Sequence, residues 1–445
     1  MANQLTKKLD RFFLAFLMIN PFLDVISGVY IKVLETVTEQ SFDAISTPMT
    51  PSLVIRMAVL LLFGLSALIS FDKKAIGAAL PVGLAWVMSV IGEAIFFYSF
   101  NLYTDVQYIA RFCYNLAVIL VYMAVFRRMG ISKQELCRKL CDVLCFSLLL
   151  LSSTIVISYI FGMGYTTYAD RYGYRGTRGF FYSGNDITAI LMAGLPVIMC
   201  AFMQLSSPSR KRYASYALSG SLTAICLMLI GTKTAFIAVI GASAVMICCA
   251  LWRFSKGDRI PFRRLLVLLA VSLFIFALMA LFSSESVFAE IRTSFMSTGN
   301  TMEKEGAATA LLSGRQTKLK DALKSFLEGG VYTYLFGVGR GTRSAIIEMD
   351  LFEVVIYYGA FGALCMLWLY LKLGLGYVIN FFKNLGQLQN DLMPIACLLS
   401  LGLCAGYLII AGHILFSVTS GFYFSYMLIF GQVLYCEKPE QLTIF

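Results

Sequence analysis

Long apolar stretches of about 20 residues alternate with short polar segments along almost the whole chain. The stretches lie near 11–31, 52–70, 76–100, 104–126, 141–163, 186–205, 214–231, 234–252, 265–283, 351–371, 394–412 and 414–435. A stretch of that length crosses the hydrocarbon layer of a bilayer as one α-helix. The pattern therefore predicts an all-α polytopic membrane protein with about 12 transmembrane helices, which form a single integral membrane domain over residues 1–445.

The polar connections alternate between basic segments and segments that are poor in Lys and Arg. The positive-inside rule then places both termini in the cytoplasm. Only 14% of the 445 residues are charged, against about 25% in soluble proteins, which supports the membrane assignment. The net charge of +11 is explained by the basic connections. We therefore predict contact with membrane lipid and no nucleic-acid partner.

Two outward connections are long, over residues 164–185 and 284–347. Loops of this length are uncommon unless they are functional or disordered. The second loop contains Ser313 and Gln316 at the spacing of a capping box, followed by apolar residues at helical spacing up to Gly329-Gly330. We predict an amphipathic helix there that lies on the outer surface.

Asp24, Arg56, Glu93 and Arg111 lie within otherwise apolar stretches, and the threading puts all four in the outer half of the bilayer. A charge at membrane depth costs roughly 2.5–3.5 kcal/mol, so it is retained mainly where it faces a partner or a water-filled cavity. The four residues predict an outward-facing polar chamber that contains at least one acid–arginine pair. Arg56 and Arg111 are accordingly candidate substrate-binding residues.

The first long loop combines Arg178 with aromatic residues and ends at Tyr182 and Asn185, just before an apolar stretch. Arginine binds phosphate with two parallel hydrogen bonds, and aromatic faces suit sugar rings. The alternative is an aromatic belt at the membrane interface with solvated arginines. Lys233, in the tight turn between the seventh and eighth stretches, is a further candidate cation, although a snorkelling lysine would look the same.

Arg315 lies in the first turn of the predicted amphipathic helix, where backbone N–H groups already favour anions. Arg340 adds positive charge further along the same loop. Glu348 and Asp350 then precede the tenth stretch, and either carboxylate is a candidate general base. The alternative is that these acids only neutralise the nearby arginines.

His413 is the only histidine, and a lone histidine is more often structural than metal-ligating. The 12 cysteines lie in apolar stretches or in connections assigned to the cytoplasm, so we predict neither disulfides nor a cysteine-based metal site. HExxH, G-x-S-x-G and Walker motifs do not occur in the sequence. We predict no metal and no cofactor.

Several short motifs, taken in order, resemble those of the O-antigen ligase and polymerase family, over most of residues 10–435 and most strongly over about 175–365. They are Arg178-Gly179-Phe180, Asn185-Asp186, Gly231-Thr232-Lys233, Ser313-Gly314-Arg315, Gly337-Val338-Gly339, and Glu348 followed by Gly359 and Gly362. The resemblance implies a bacterial plasma-membrane glycosyltransferase that uses a polyprenyl-pyrophosphate-linked oligosaccharide donor and a glycan acceptor.

Two positions depart from the family pattern. Lys233 stands where the family often has arginine, which keeps the charge and loses the two-pronged guanidinium. Glu348 stands where the family often has histidine, so Glu348 or Asp350 is expected to replace it as the base, with His413 as a second possibility. The carboxylate version is similar to capsule-type polymerases of Gram-positive bacteria.

The leading hypothesis is thus an inverting, metal-independent glycosyltransferase that polymerises or ligates lipid-linked glycans on the outer face of the membrane. Cationic side chains would stabilise the departing pyrophosphate in place of a metal. A transporter or flippase of a lipid-linked anionic glycan is the main alternative, because buried ion pairs suit that class as well. A cell-wall glycan polymerase of the shape and division type is a third possibility, which would be expected to have fewer spans.

Overall fold

The computed structural model describes residues 2–39, 50–70, 73–97, 101–168, 175–206, 208–282, 312–342 and 347–442, together with a few isolated positions between 288 and 303. Most of the second long loop, over 284–311 and 343–346, therefore lies outside the described residues. The bounds of that predicted loop stay a prediction.

Helices make up nearly all of the described chain. The first nine are α1 Ala2–Thr38, α2 Pro51–Ile69, α3 Lys73–Gly92, α4 Leu102–Arg128, α5 Lys133–Ile160, α6 Gly184–Met203, α7 Arg210–Ile230, α8 Lys233–Ser255 and α9 Ile260–Phe282. The others are α10 Arg315–Glu328, α11 Gly330–Phe336, α12 Asp350–Lys383, α13 Met393–Ile410 and α14 Ser420–Tyr435. A short π-helical segment, Glu93–Phe97, continues α3.

Eleven of the helices in the described part, α1 to α9 together with α12 and α13, are long and apolar enough to cross a membrane. The prediction of an all-α polytopic membrane protein is thereby confirmed. The twelfth predicted span corresponds to α14, which has only 16 residues. It begins at Ser420 rather than near 414, because the preceding residues form a turn whose backbone N–H groups bind a carboxylate of α12.

Local sequence explains where many helices begin. Ser132, Ser183, Ser209 and Thr232 lie directly before α5, α6, α7 and α8, and each side chain accepts a hydrogen bond from a backbone N–H of the first turn. Such N-caps stabilise a helix by about 1 kcal/mol. Gly231 ends α7 in the left-handed conformation, so that α7 and α8 are joined by a turn of two residues.

Helix α6 is buried along almost its whole length and packs against α5, α7, α13 and α14. Helices α3 and α9, by contrast, present most of their apolar residues outward, as expected of surfaces that face lipid. The buried centre around α6 thus fixes the helix ends that carry the candidate site.

The first long loop contains a β-hairpin, which the sequence analysis did not predict. Strand β1 (Tyr165–Tyr168) pairs antiparallel with β2 (Arg175–Gly179), and Thr166 lies opposite Thr177. Gly176 brings the hairpin against the end of α7, because a Cβ at this position would overlap the carbonyl oxygen of Ile230. The hairpin is therefore packed beside the α7–α8 turn.

The second long loop contains the predicted amphipathic helix, α10, but the predicted capping box is wrong. Ser313 has a left-handed φ of 54°, and Gly314 is the N-cap without a side-chain hydrogen bond. Further on, Gly359 breaks the helical geometry of α12, which leaves carbonyl groups free to accept hydrogen bonds from Val338 and Gly339. The loop is in this way anchored on the core of the bundle.

Candidate functional site

A cavity of about 390 Å³ lies where the hairpin, the α7–α8 turn, the start of α10 and the segment before α12 meet. Six of the predicted site residues line this cationic cavity: Arg178, Tyr182, Asn185, Lys233, Arg315 and Glu348. They come from segments far apart in sequence, and three of them carry a cation. The four residues on which the predicted polar chamber was based do not line this cavity, whose charged lining residues are three cations and one carboxylate.

Arg178 is positioned by aromatic rings. Its guanidinium lies 5.3 Å from the centre of the Tyr165 ring and 5.8 Å from that of Tyr182. Tyr165 also donates a hydrogen bond of 2.6 Å from its hydroxyl to Glu35 of α1. These contacts tie Arg178 to the hairpin and the hairpin to α1. They place a planar cation beside aromatic faces, which suits both phosphate and sugar groups.

Lys233 is the first residue of α8, and Thr232 caps that helix by accepting from the N–H of Ala235. A lysine in the first turn adds its charge to the partial positive charge of the helix N-terminus. An anion in the cavity would be stabilised by both. Asn185 lies equally close to the start of α6, and its carbonyl oxygen accepts from the hydroxyl of Tyr407.

Glu348 is the carboxylate of the cationic cavity. Its Oε1 lies 2.8 Å from Lys318 Nζ, and its Oε2 lies 3.2 Å from Arg315 Nη2. Burial raises the pKa of Glu348, but the hydrogen bond from Lys318 and the charges of His413, Arg315 and Lys318 outweigh it, so the pKa is lowered. Glu348 is therefore ionised at neutral pH.

The backbone of Glu348 has a left-handed φ of 66°, which is uncommon for glutamate. Its N–H donates a hydrogen bond of 2.7 Å to Glu353 Oε1, and the other Glu353 oxygen accepts from the hydroxyl of Tyr108. Gly412 packs directly behind, since a Cβ there would overlap the carbonyl group of Glu348. Glu353 thus holds the strained segment that presents the Glu348 side chain to the cavity.

Asp350, which the sequence analysis proposes as a candidate base, has a structural role of the same kind. It is fully buried, and its two oxygens accept from the backbone N–H groups of His413, Ile414 and Leu415 at 2.6–2.8 Å. A carboxylate with three such donors is committed to the fold. Asp350 fixes the α13–α14 turn and does not line the cationic cavity.

His413 lies at the tip of that turn and also has a left-handed φ, of 65°. Its Nε2 is 4.0 Å from Glu348 Oε2, which is beyond hydrogen-bonding distance. Two acids in the first turn of α12 therefore each hold a residue with a left-handed backbone. Glu353 accepts from the N–H of Glu348, and Asp350 accepts from the N–H of His413. The side chains of Glu348 and His413 lie next to each other.

A second cavity of about 270 Å³ continues from the first beyond Tyr182 and Ser183, which line both. Its walls carry hydroxyl groups, two carboxylates, an arginine and the histidine, and we call it the hydroxyl cavity. The polar lining residues are Asp24, Ser27, Thr50, Ser52, Arg111, Tyr182, Ser183, Asp186, His413, Ser417 and Thr419. Glu348 and His413 thus lie on the two sides of the junction between the cavities.

Arg56, a predicted substrate-binding residue, is not among the residues that line the hydroxyl cavity. The predicted acid–arginine pair with Asp24 is present, at 2.7 Å. Arg56 is fully buried, and all its nitrogen atoms donate to protein oxygens, on Asn20, Asp24, Ser52 and Thr419. The arginine therefore orients Asp24, which does reach the cavity.

Arg340, a predicted substrate-binding residue, and Glu93, one of the four residues of the predicted chamber, belong to a separate buried cluster and line neither cavity. The Gly341 N–H donates to both Glu93 Oε1 and Asp105 Oδ1, at 2.8 and 3.1 Å. The Arg340 guanidinium lies 5.5 Å from the centre of the Tyr108 ring. This cluster anchors the second long loop to α3 and α4.

The sequence analysis missed several residues that shape the site. Lys318, which is not among the predicted site residues, contacts Glu348, and its spacing of three residues from Arg315 places both cations on one side of α10. Asp186 lines the hydroxyl cavity and accepts a hydrogen bond of 2.6 Å from Ser420. Neither contact has a local sequence signal, because the partners are distant along the chain. Among the described residues, no group of three His, Cys, Asp or Glu side chains could hold a metal ion.

Comparison with known proteins shows the family of the chain and does not test the arrangement of these residues. No curated protein matches the chain. The family of O-antigen ligase like membrane proteins matches residues 6–298, about two thirds of the 445 residues. The match includes Arg178 and Lys233 and ends before Arg315 and Glu348. It indicates an enzyme that transfers glycosyl groups and acts on lipid-linked glycans in a membrane. The chain belongs to the O-antigen ligase-like family of multi-pass membrane proteins.

Proposed function

We propose that the protein joins a glycan carried on polyprenyl pyrophosphate to the end of an acceptor glycan, on the outer face of a bacterial plasma membrane. The observation that carries this proposal is the convergence of Arg178, Lys233 and Arg315 on one cavity beside Glu348. Three cations match the charge of a pyrophosphate, and they are supplied by three separate segments. The departure of pyrophosphate then needs no metal, because the cations stabilise its charge directly.

The cationic cavity takes the donor and the hydroxyl cavity takes the acceptor. Arg178 and Arg315 bind the phosphate oxygens, while Tyr182 offers its ring to the first sugar. The hydroxyl cavity, with Asp24, Asp186 and its serines and threonines, provides the acceptors and donors that glycan hydroxyl groups require. The acceptor hydroxyl then reaches the donor carbon at the junction, where Glu348 lies.

Glu348 is the general base of the proposed reaction. It takes the proton of the acceptor hydroxyl, whose oxygen forms a bond to the anomeric carbon of the donor. The bond from that carbon to the pyrophosphate oxygen breaks, and the pyrophosphate leaves with the electron pair on the opposite side. One such displacement inverts the configuration at the carbon. The product is a longer lipid-linked or acceptor-linked glycan, as in capsule-type polymerisation.

Binding of the donor also changes the base. Without substrate, Glu348 Oε2 is held by Arg315 at 3.2 Å. A pyrophosphate that draws Arg315 to itself reduces the attraction that lowers the pKa of Glu348. The carboxylate of Glu348 is therefore a stronger base when the donor is bound than when the cavity is empty, because its pKa is then higher. This coupling protects against proton abstraction without a leaving group in place.

The test is polymer synthesis in membranes or proteoliposomes supplied with a lipid-linked oligosaccharide. We expect E348Q to lower the rate by about 10²–10⁴-fold, with binding of the donor retained. E328Q is the matched control, because Glu328 is an exposed glutamate on α10 that pairs with Lys324. Normal polymer length in E348Q would refute the proposed base. Movement of labelled donor across the bilayer without new glycosidic bonds would favour the transporter alternative.

The pH dependence gives a second readout. The folded-state pKa of Glu348 is below the usual value for glutamate. At any pH above that usual value Glu348 is therefore ionised and keeps its contacts with Lys318 and Arg315. They are lost only as the pH falls through the lowered pKa. We expect the acidic limb of the rate profile to be absent from the residual activity of E348Q.

A further inference from the structure

A third cavity, of about 570 Å³, lies at the opposite ends of the helices from the proposed active site. It forms where the N-termini of α5, α7 and α13 meet the C-termini of α6 and α14. Its charged lining residues are Lys133, Glu135, Arg138, Arg212 and Asp391. We call it the basic-face cavity, because this end of the bundle also carries the basic connections that the positive-inside rule assigns to the cytoplasm.

Two of the charges around the basic-face cavity are neutralised by pairs within the protein. Arg212 Nε lies 3.0 Å from Asp142 Oδ1, and Glu135 Oε1 lies 3.0 Å from Lys139 Nζ. Asp391 accepts hydrogen bonds from the Gln204 side chain at 3.1 Å and from the Met393 N–H at 2.8 Å. The carboxylates of the lining are therefore already engaged.

Arg138 differs from these residues. Its side chain is exposed at the rim of the cavity, and within the part of the chain that the structure describes it forms no ion pair. Lys133 lies five residues earlier, at the first position of α5. Both residues line the cavity, so their positive charges, together with the positive end of the α5 dipole, attract an anion that enters it.

The uncharged wall of the basic-face cavity has polar residues and an apolar part. The apolar part consists of Cys137, Cys141, Ala201, Leu205, Met393, Phe430 and Leu434. A soluble anion would gain nothing from this apolar part, whereas an amphiphile places its anionic group at the cations and its hydrocarbon against the apolar side chains. The combination favours a lipid over a free anion.

We propose that the basic-face cavity binds the headgroup of an anionic phospholipid from the adjacent leaflet, with the phosphate on Lys133 and Arg138 and the first acyl carbons against Phe430 and Leu434. The site lies at the junction of five helix ends, so the lipid links α5 to α13 and α14. This link holds the ends of helices that, at the other face, carry the proposed active site.

The experiment measures lipid binding to the purified full-length protein in detergent by native mass spectrometry and by the midpoint of thermal unfolding. The probes are dioleoyl phosphatidylglycerol, dioleoyl phosphatidylcholine and soluble glycerol 1-phosphate. We expect phosphatidylglycerol to bind and to raise the midpoint, and we expect the other two to do neither at the same concentration. The K133Q/R138Q variant should bind phosphatidylglycerol about 30-fold more weakly, since each cation near a membrane surface contributes about fivefold.

The matched control is K211Q, because Lys211 is an exposed lysine in the first turn of α7, at the same end of the bundle, and does not line the cavity. K211Q should bind phosphatidylglycerol as the unchanged protein does. Equal binding of phosphatidylglycerol and phosphatidylcholine would overturn the proposal, and so would unchanged binding in K133Q/R138Q. Binding of glycerol 1-phosphate with the same affinity would show a site for a free anion instead. The readout needs no glycan donor, so its outcome is independent of the proposed enzymatic activity.

Discussion

An arginine lies opposite a carboxylate both in the ion pair between α1 and α2 and in the cationic cavity. The two arginines differ in how many N–H donors remain for a ligand. Arg56 is fully buried, and protein oxygens accept from all three of its nitrogen atoms. Arg315 lines a cavity of about 390 Å³, and its ion pair with Glu348 measures 3.2 Å. Its Nε has no hydrogen-bond acceptor among the described residues.

The difference shows that a charge at membrane depth is not by itself a sign of function. A guanidinium has five N–H donors, and it is available to a substrate only when the protein leaves some of them without strong acceptors. At Arg56 the fold supplies every acceptor, so the residue stabilises the bundle. At Arg315 the protein supplies fewer acceptors, so N–H donors remain for a phosphate oxygen. The count of acceptors, and not the residue type, separates the two roles.

The largest expected effect is on folding, at Arg56. R56M should lower the free energy of unfolding by about 3–5 kcal/mol, because it leaves Asp24 buried without its cation. Thermal unfolding of the purified protein in detergent measures the loss. The double variant D24N/R56M should recover part of it, since the uncompensated charge is removed. An unchanged unfolding midpoint in R56M would contradict the structural role.

The next effect is on activity, at Arg315. R315A should reduce polymer synthesis by about 10²–10³-fold, the usual loss when one stabiliser of developing negative charge is removed. The unfolding midpoint should not change, since the side chain lies at a cavity wall. R315K should be intermediate because it keeps the charge and loses the two-pronged geometry. K320Q is the control, because Lys320 is an exposed lysine of the same helix. A loss of activity in K320Q would argue against a specific role of Arg315 in binding the phosphate.

The spans could be predicted from the sequence because the apolar length needed to cross a bilayer is a local property. Likewise Arg178, Lys233 and Arg315 could be singled out, because each is a cation next to a helix start or an aromatic cluster. The partners of Arg56 could not be predicted, since Thr419 is 363 positions away. Nor could Glu348 and Asp350 be told apart, because only the left-handed backbone of Glu348 and the turn at His413 direct one carboxylate to the cavity and the other to the core.

That distinction can be tested at Asp350. D350N places an amide group against backbone N–H groups that need acceptors, so it should destabilise the fold by about 1–3 kcal/mol. Its loss of activity should follow its loss of stability. E348Q, in contrast, should lose activity with an unchanged unfolding midpoint. If D350N kept full stability and lost all activity, Asp350 would have a chemical role that its buried contacts do not provide.

The smallest expected effect is at His413. Its Nε2 is 4.0 Å from Glu348 Oε2, so the imidazole lies close to the carboxylate but forms no hydrogen bond with it. Its left-handed φ of 65° makes asparagine the informative replacement, because asparagine adopts this conformation more readily than other residues with a side chain. H413N should therefore keep the turn on Asp350 intact and retain polymer synthesis within about tenfold, a loss well below that of removing a general acid or base. H413A, which strains the turn, should show a lower unfolding midpoint as well. If H413N is inactive while E348Q polymerises normally, the imidazole of His413 takes the proton. The roles proposed for Glu348 and His413 are then reversed.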